Sequence, residues 1–456
     1  MITINRLLFK ETSILPLVAF RIIFGILMLI GSIRFLSYGW VEQLYIQPKF
    51  YFGFVEAIVP LSGNWMYVPF LLLLLGSLGI LLGAWYRASA ILSFISFTYI
   101  ELLDKTNYLN HYYFVSLVLF LLIFLPANAY FSVDNYRNRL PSLTTVPVYT
   151  IGILKFQLAV VYFFAGIAKI NSDWLFHAQP LKIWLQAYRD LPFIGDYFAM
   201  PWLAFVFSWF GCVYDLTIPF FLLSKKTRSY AYFFVIIFHI VTWLLFPIGV
   251  FPWVMIFSTL IFFPESFHRT WLNSLQKFVK NANIDSVKCN VDLRRKKLII
   301  ICLAVYISIQ IFLPLRCFLG PVSTLFWHEE GMRFSWRVML MHKEGYATFY
   351  VKDANTQREI QIRNEDFLTE NQEDQMATQP DMIKQYADYL YKTFKDSLIQ
   401  TSIDTFRLSS PTIHAQIYAS LNGRSSQLFL SKIHALQEKK YTFAPHKWLA
   451  PFNPAW

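Results

Sequence analysis

Nine apolar runs crowd into the first 315 positions of the chain, at roughly 13–38, 67–86, 88–103, 112–126, 147–170, 202–223, 230–247, 249–263 and 297–314. A bilayer core takes about 20 apolar residues to cross as a helix, and lipid leaves no backbone polar group a partner outside the chain. Runs of this kind therefore predict a polytopic α-helical membrane domain of about nine spans. The pair around "LLFPIGVFPW" (Leu244–Trp253) is interrupted by Pro247 and Pro252 and reads also as one broken or re-entrant element. The first run is followed by no small-residue cleavage pattern, so it is expected to be a retained span.

Charge supports that reading. Only 15% of residues are charged, against about 25% in an average soluble domain. With the N-terminus inside and the spans alternating, sixteen Lys and Arg fall in inner segments, among them Arg137 and Arg139, and four in outer loops. The positive-inside rule is satisfied, and the C-terminus is expected outside. A net charge of +12 carried by loops points to membrane lipid as the partner, not to nucleic acid. The four cysteines, Cys212, Cys289, Cys302 and Cys317, have no metal-ligand spacing, so neither a metal nor a disulfide framework is expected. With no Asn-x-Ser/Thr sequon in the chain, a bacterial inner membrane is expected.

Beyond residue 315 the pattern changes. "GYATFYVKD" and "REIQIRNED" alternate apolar and polar residues around "ANTQ", which predicts a β-hairpin. "PDMIKQYADYLYKTFKDSL" has helical spacing after a proline suited to a first turn, and "HAQIYASLNGRSSQLFLS" reads as strand, Asn-Gly turn, strand. The expected organisation is a transmembrane catalytic domain over 1–315 and an extracytoplasmic α+β, β-rich domain over 316–456.

Chemistry-bearing residues gather at one predicted interface. "YFFAGIAKINSDW" ends the fifth run with Lys169, Asn171 and Asp173, and "DKTNYLNHYYF" opens the fourth with Asp104, Asn110 and His111. On the alternating topology both lie at the outer face. Lys169 alone reads equally as an interfacial lysine reaching for water beside Trp174 of an aromatic belt, and His111 alone as an interfacial histidine with its hydrogen bonds made. Arg21, Lys155 and Asp215 are expected in the inner half, where a buried pair or triad among them would be structural. His239, within "FFVIIFHIVTW", either lines a cavity or bonds a neighbouring span. Trp327, His328 and Arg337, at the domain junction, suit ligand contact and packing equally. No Gly-rich phosphate loop, His-Glu-x-x-His or Gly-x-Ser-x-Gly is present, so nucleotide chemistry, zinc-assisted hydrolysis and the serine-hydrolase elbow lack their usual supports.

The blocks "FRIIFGILM", "WMYVPFLLLLLGSLGILLGAWYR", "DKTNYLNHYYF", "NAYFSVD", "VYFFAGIAKINSDW" and "FPIGVFPWVM", followed by "FSWRVMLMHK", "MIKQYADYL" and "APFNPAW", occur in the order seen in vitamin K-dependent γ-glutamyl carboxylases, which the chain resembles over nearly its whole length. The resemblance implies a coupled epoxidase and carbon–carbon lyase. A neutral lysine takes a proton from reduced vitamin K, reaction with O2 yields a strong base and the epoxide, and that base removes a γ-proton from a peptidyl glutamate, whose carbanion captures CO2. By motif, the lysine falls on Lys169 and an Asn-His pair on Asn110 and His111. Cofactor-binding positions are expected at His239, Trp174, Cys317 and Met332, of which Cys317 stands where animal members have a histidine and Met332 where they have a tyrosine. The cofactor is expected to be the vitamin K hydroquinone or menaquinol, and the partner a glutamate-containing protein or peptide. A desolvated amine is a better base than a hydrated one, because burial disfavours the charged form. Two other functions suit the same scaffold: a quinol epoxidase without carboxylation, and a non-catalytic membrane binding or transport protein.

Overall fold

The computed structural model describes residues 6–137, 143–246, 248–276, 293–320, 324–400, 405–439 and 446–455. Arg139, Pro247 and Cys289 lie outside these residues. Each apolar run folds as a helix: α1 (Leu15–Ser37), α2 (Tyr67–Leu82), α3 (Tyr86–Leu103), α4 (Asn110–Phe124), α5 (Val148–Ala168), α6 (Pro201–Leu223), α7 (Arg228–Leu245), α8 (Phe251–Ser258, continued by a 3-10 turn Thr259–Phe262) and, after the polar helix α9 (Glu265–Gln276), α10 (Leu293–Leu315). Among the described residues six helices are long and apolar enough to cross a membrane, namely α1, α2 with the turn before it, α5, α6, α7 and α10. The expectation of nine spans is not met by that measure. The α4 helix and the α8 segment are apolar but shorter, and α3 carries Ser89, Ser93, Ser96 and Glu101.

A short antiparallel ribbon fixes the bundle at one end. β1 (Glu11–Ser13) pairs with β2 (Thr145–Pro147), with Thr12 opposite Val146. It holds the start of α1 near the start of α5. Val18 and Phe24 of α1, Leu119 and Leu122 of α4, and Leu154 and Leu158 of α5 belong to one apolar core.

The embedded charges do not group as expected. Arg21 donates to the carbonyls of Ile80 (3.3 Å), Leu81 (3.2 Å) and Phe131 (2.6 Å), which satisfies the orphan acceptors where α2 ends. Lys155 lies 5.6 Å from the Phe262 ring centroid. Asp215 meets neither, because a different cation claims it.

The C-terminal region is built on a four-stranded antiparallel sheet in the order β4-β3-β7-β8, with β3 (Lys343–Asp353), β4 (Glu359–Ile362), β7 (Pro411–Leu421) and β8 (Gln427–Leu430). The ribbon of β5 (Leu398–Gln400) and β6 (Thr405–Arg407) lies apart from it. Both hairpins read from the sequence form, with Phe349 opposite Ile362 and Ala415. Asn422 and Gly423 turn the second one with φ of 53° and 83°, values that Asn and Gly adopt at least cost. After the short helix α11 (Glu370–Met376), α12 (Pro380–Phe394) lays Ile383, Tyr386 and Leu390 against the sheet. Trp327 is wholly buried in this core, its indole N–H donating to the Ala450 carbonyl.

Two carboxylates fasten the sheet region to the bundle. Asp381 bridges Lys105 (2.8 Å) and Arg333 (2.7 Å). Asp173, in the short helix Ser172–His177, accepts from both terminal nitrogens of Arg424 (2.7 and 2.8 Å) and from Asn422 (2.7 Å). Burial raises each carboxyl, yet the facing cations outweigh it: Arg333 and Lys105 bring Asp381 down to about 2, and Arg424 with Asn422 holds Asp173 below the usual carboxylate range. Asp104 belongs to this junction too, accepting from Gln372 (2.9 Å).

Candidate active site

The α5 helix stops because its last turn is followed by its own replacement. Lys169 is the C-cap, and Asn171 caps the next helix by accepting from the Trp174 N–H (2.9 Å). Gly166, three residues earlier, lies against α6 so closely that a Cβ there would sit 2.7 Å from the backbone nitrogen of Leu216. Only a glycine permits that approach, and it delivers the lysine to its partner. Lys169 Nζ lies 2.6 Å from Asp215 Oδ2, with the two residues 7% and 4% exposed. Nζ also faces the Ala165 carbonyl (3.4 Å) and the Trp174 ring (5.3 Å to the centroid). Trp174 is itself fixed, its Nε1 donating to the Ser208 carbonyl at 2.8 Å.

This pairing relocates the lysine. Asp215 stands roughly 21 Å along α6 from its start, at ~1.5 Å per residue, so α5 ends well short of its neighbour. Lys169 is therefore deep beside α6 instead of at the level where that helix begins. The carboxylate was read as an inner-half structural charge, yet the sequence held a clue: Asp215 is the sole charged residue of α6, and a buried cation needs a counter-charge.

Pair and cavity belong together. A cavity of about 670 Å³ is lined by Lys169, Asp215, Asn110, His111, Trp174 and His239. The His111 ring stacks on Phe251 with centroids 4.8 Å apart. Asn110 donates to the Arg337 carbonyl (3.0 Å) and accepts from the Tyr108 hydroxyl (3.1 Å). His239 Nε2 is 2.9 Å from the Tyr162 hydroxyl. Five of the seven positions expected to be catalytic or cofactor-binding thus share one space. Cys317 and Met332 do not line it; they pack with Leu325 in a separate apolar cluster. Motif position placed them near the ligand, whereas packing turns them into the junction, where Cys317 Sγ accepts from Arg337 (3.3 Å). Of the junction residues, Arg337 reaches the cavity, and Trp327 and His328 are absent from its lining. Tyr162 and Arg34 line it as well and were not singled out; nothing in their spacing marks them.

Fold and site together define a class: an apolar helical bundle with an amine–carboxylate pair in its interior cavity, joined to an antiparallel sheet. The HTTM domain family model matches residues 9–267, and that of the vitamin K-dependent gamma-carboxylase lumenal domain matches residues 295–455, starting within α10. The chain belongs to the vitamin K-dependent gamma-carboxylase family. No solved structure matches it.

Proposed function

We propose that the protein couples oxygenation of a quinol to carboxylation of peptidyl glutamate, with Lys169 as the group that takes the first proton. The observation that carries this reading is the Lys169–Asp215 pair in a cavity with a mainly apolar lining. The family implies reduced vitamin K, O2 and CO2, and a glutamate-containing protein substrate. The cavity suits a prenylated quinol, reduced vitamin K or menaquinol. Phe207, Phe238 and Phe251 offer flat apolar contact, and the lining residues Val206, Phe210 and Ile237 are 40–51% exposed on the outside of the bundle, a route from lipid. When bound, the quinol supplies with O2 the reducing power and the strong base that the carboxylation needs.

The chain's own residues do the rest. In its neutral form Lys169 Nζ accepts a proton, and Asp215, 2.6 Å away, stabilises the resulting ammonium by a charge-assisted contact. His111 and Asn110 orient substrate oxygen atoms, while His239 and Trp174 hold the ring. Exclusion of water protects strongly basic groups from premature protonation. The sheet region is assigned to the outer side, on the support of its match to a lumenal-domain family model.

The test supplies purified protein with reduced vitamin K, labelled CO2 and a glutamyl peptide, and measures epoxide and labelled peptide separately. Lys169→Ala is expected to lose both by about 10²–10⁴-fold, the usual worth of a general base. Full epoxidation by a folded Lys169→Ala protein refutes the assignment. Lysine-dependent epoxide without labelled peptide in the wild type makes the chain a quinol oxygenase instead.

A further inference from the structure

One buried acid of the bundle has no part in the chemistry described so far. Glu101, the only acidic residue of α3, is 7% exposed. Its Oε2 accepts from the Ser116 hydroxyl of α4 at 2.6 Å. Its Oε1 is buried with no hydrogen-bond partner among the described residues, and no lysine or arginine among them lies within ion-pair distance. Other buried acids are answered: Asp215 by Lys169, Asp173 by Arg424, and Asp134 by the backbone N–H groups of Trp85 and Tyr86. An ionised Glu101 would be a bare charge away from water, far costlier than a neutral acid with one hydrogen bond.

This acid stands between the cavity and the junction with the sheet region. On the cavity side is Tyr112, a lining residue. Its ring packs edge-on against His111 (centroids 4.8 Å apart) and against Phe97 of α3 (5.7 Å), one turn from Glu101, and its phenol feels the charge of Glu101. On the other side, Asp104 follows Glu101 by three positions, about one turn. Tyr45, 3% exposed, lies within electrostatic reach of both carboxyls, and Asp104 accepts from Gln372 at the junction. Two further phenols near Glu101 are engaged elsewhere, Tyr108 with Asn110 and Tyr113 with Gln310. Tyr112, Glu101, Tyr45 and Asp104 thus run from the cavity wall to the junction.

Carboxylation has a proton to dispose of. Epoxidation alone balances without one, since quinol and O2 become epoxide and water. Carboxylation exchanges a γ C–H bond for a C–C bond to CO2, and the new carboxylate leaves one H⁺ behind. The γ-proton ends in the water formed, so the excess proton is the one on Lys169, which must lose it before it can act again. We propose that Glu101 is held as the neutral acid and carries this proton from the cavity to the junction. The O–H bond at Oε1 breaks as Asp104 takes the proton, and a new one forms with the phenolic proton of Tyr112. The phenol is reloaded from the Lys169 ammonium through the cavity of about 670 Å³ that both residues line, which is roomy enough for water to join them. Ser116 anchors the acid by Oε2 and leaves Oε1 to give and take. This rests on the function proposed above and concerns carboxylating turnovers only.

The test uses Glu101→Gln, which copies the neutral acid in shape and still accepts from Ser116 but has no acid proton to pass. The first measurement needs no quinol: an infrared difference spectrum, wild type minus Glu101→Gln, of the full-length protein in phosphatidylcholine nanodiscs at neutral pH. It is expected to show the carbonyl stretch of a protonated carboxyl, shifted in D2O, and its absence overturns the proposal. The second supplies reduced vitamin K, O2, labelled CO2 and a glutamyl peptide. Steady-state carboxylation by Glu101→Gln is expected to be about tenfold slower, less than the loss of a directly acting base, because water takes over part of the route. Its first turnover, which starts from a neutral lysine, keeps the wild-type rate, and so does epoxidation with the peptide withheld. Wild-type steady-state carboxylation leaves Glu101 a structural anchor and overturns the proposal, as does an equal slowing with and without peptide. Asp104→Asn interrupts the same route one step on and reads the same contrast if Glu101→Gln does not fold. A wild type that makes epoxide but labels no peptide overturns the carboxylase reading and this proposal together; the other outcomes overturn this one alone.

Discussion

An amine and a carboxylate 2.6 Å apart and buried form the smallest unit on which the proposed function depends. Breaking such a pair by removing one partner typically costs ~3–5 kcal/mol, since it strands a buried charge. Asp215→Asn is thus expected to lower the melting temperature and to reduce epoxidation by about 10²-fold, within the range of general-base effects. The charge swap, Lys169→Asp with Asp215→Lys, separates stability from chemistry. It restores an ion pair, so the melting temperature recovers, but it moves the amine to another helix, so epoxidation stays lost. Recovery of activity in the swap would mean that the pair serves structure alone. At this scale the sequence was half legible. Lys169, Asn110 and His111 stood out by motif, while Asp215 did not, because depth was counted from the ends of spans taken as level with one another. The offset between α5 and α6 is set by packing, and no periodicity records it.

Between elements, glycines decide what can approach. Gly166→Ala would drive a methyl to within 2.7 Å of the Leu216 backbone and side chain, so α5 and α6 must part and Lys169 must leave Asp215. The expected result is a loss of epixodation comparable to that of Lys169→Ala, with overpacking costing about 1–3 kcal/mol. Gly211 is the control. Its Cβ would lie 3.8 Å from Trp174 and 3.9 Å from Lys169, ordinary contacts, so Gly211→Ala is expected to fold with wild-type stability. Thermal melts and epoxide yields measured side by side check both. Element identity was the most legible level. Helices occur wherever the chain is continuously apolar, and strands alternate as their pleat demands: β7 buries Ile413, Ala415, Ile417 and Ala419 on one face. Cys317 and Met332 misled because a motif match says where a residue lies along the chain and not which way its side chain turns.

Over the whole molecule, sheet and bundle are held by buried carboxylates, which gives the junction a pH dependence of definite sign. Asp381 sits at about 2 in the fold, against about 3.9 for a free aspartate. Its stabilising contribution, about 2 kcal/mol, is therefore present above pH ~4 and is lost as pH falls towards ~2. Protection factors in α12, taken relative to the intrinsic amide exchange rate at each pH, are expected to stay high at pH 5 and to fall near pH 2.5, and Asp381→Asn should lower them at pH 5 as well. The other clasp has a mechanical meaning. Asp173, which the Asn422–Gly423 hairpin and Arg424 grip, follows Lys169, the proposed base, by four positions. Whatever tugs on that hairpin pulls on Lys169 through barely one coil of chain, so a polypeptide docked there would be felt at the proposed reaction centre without any large rearrangement between.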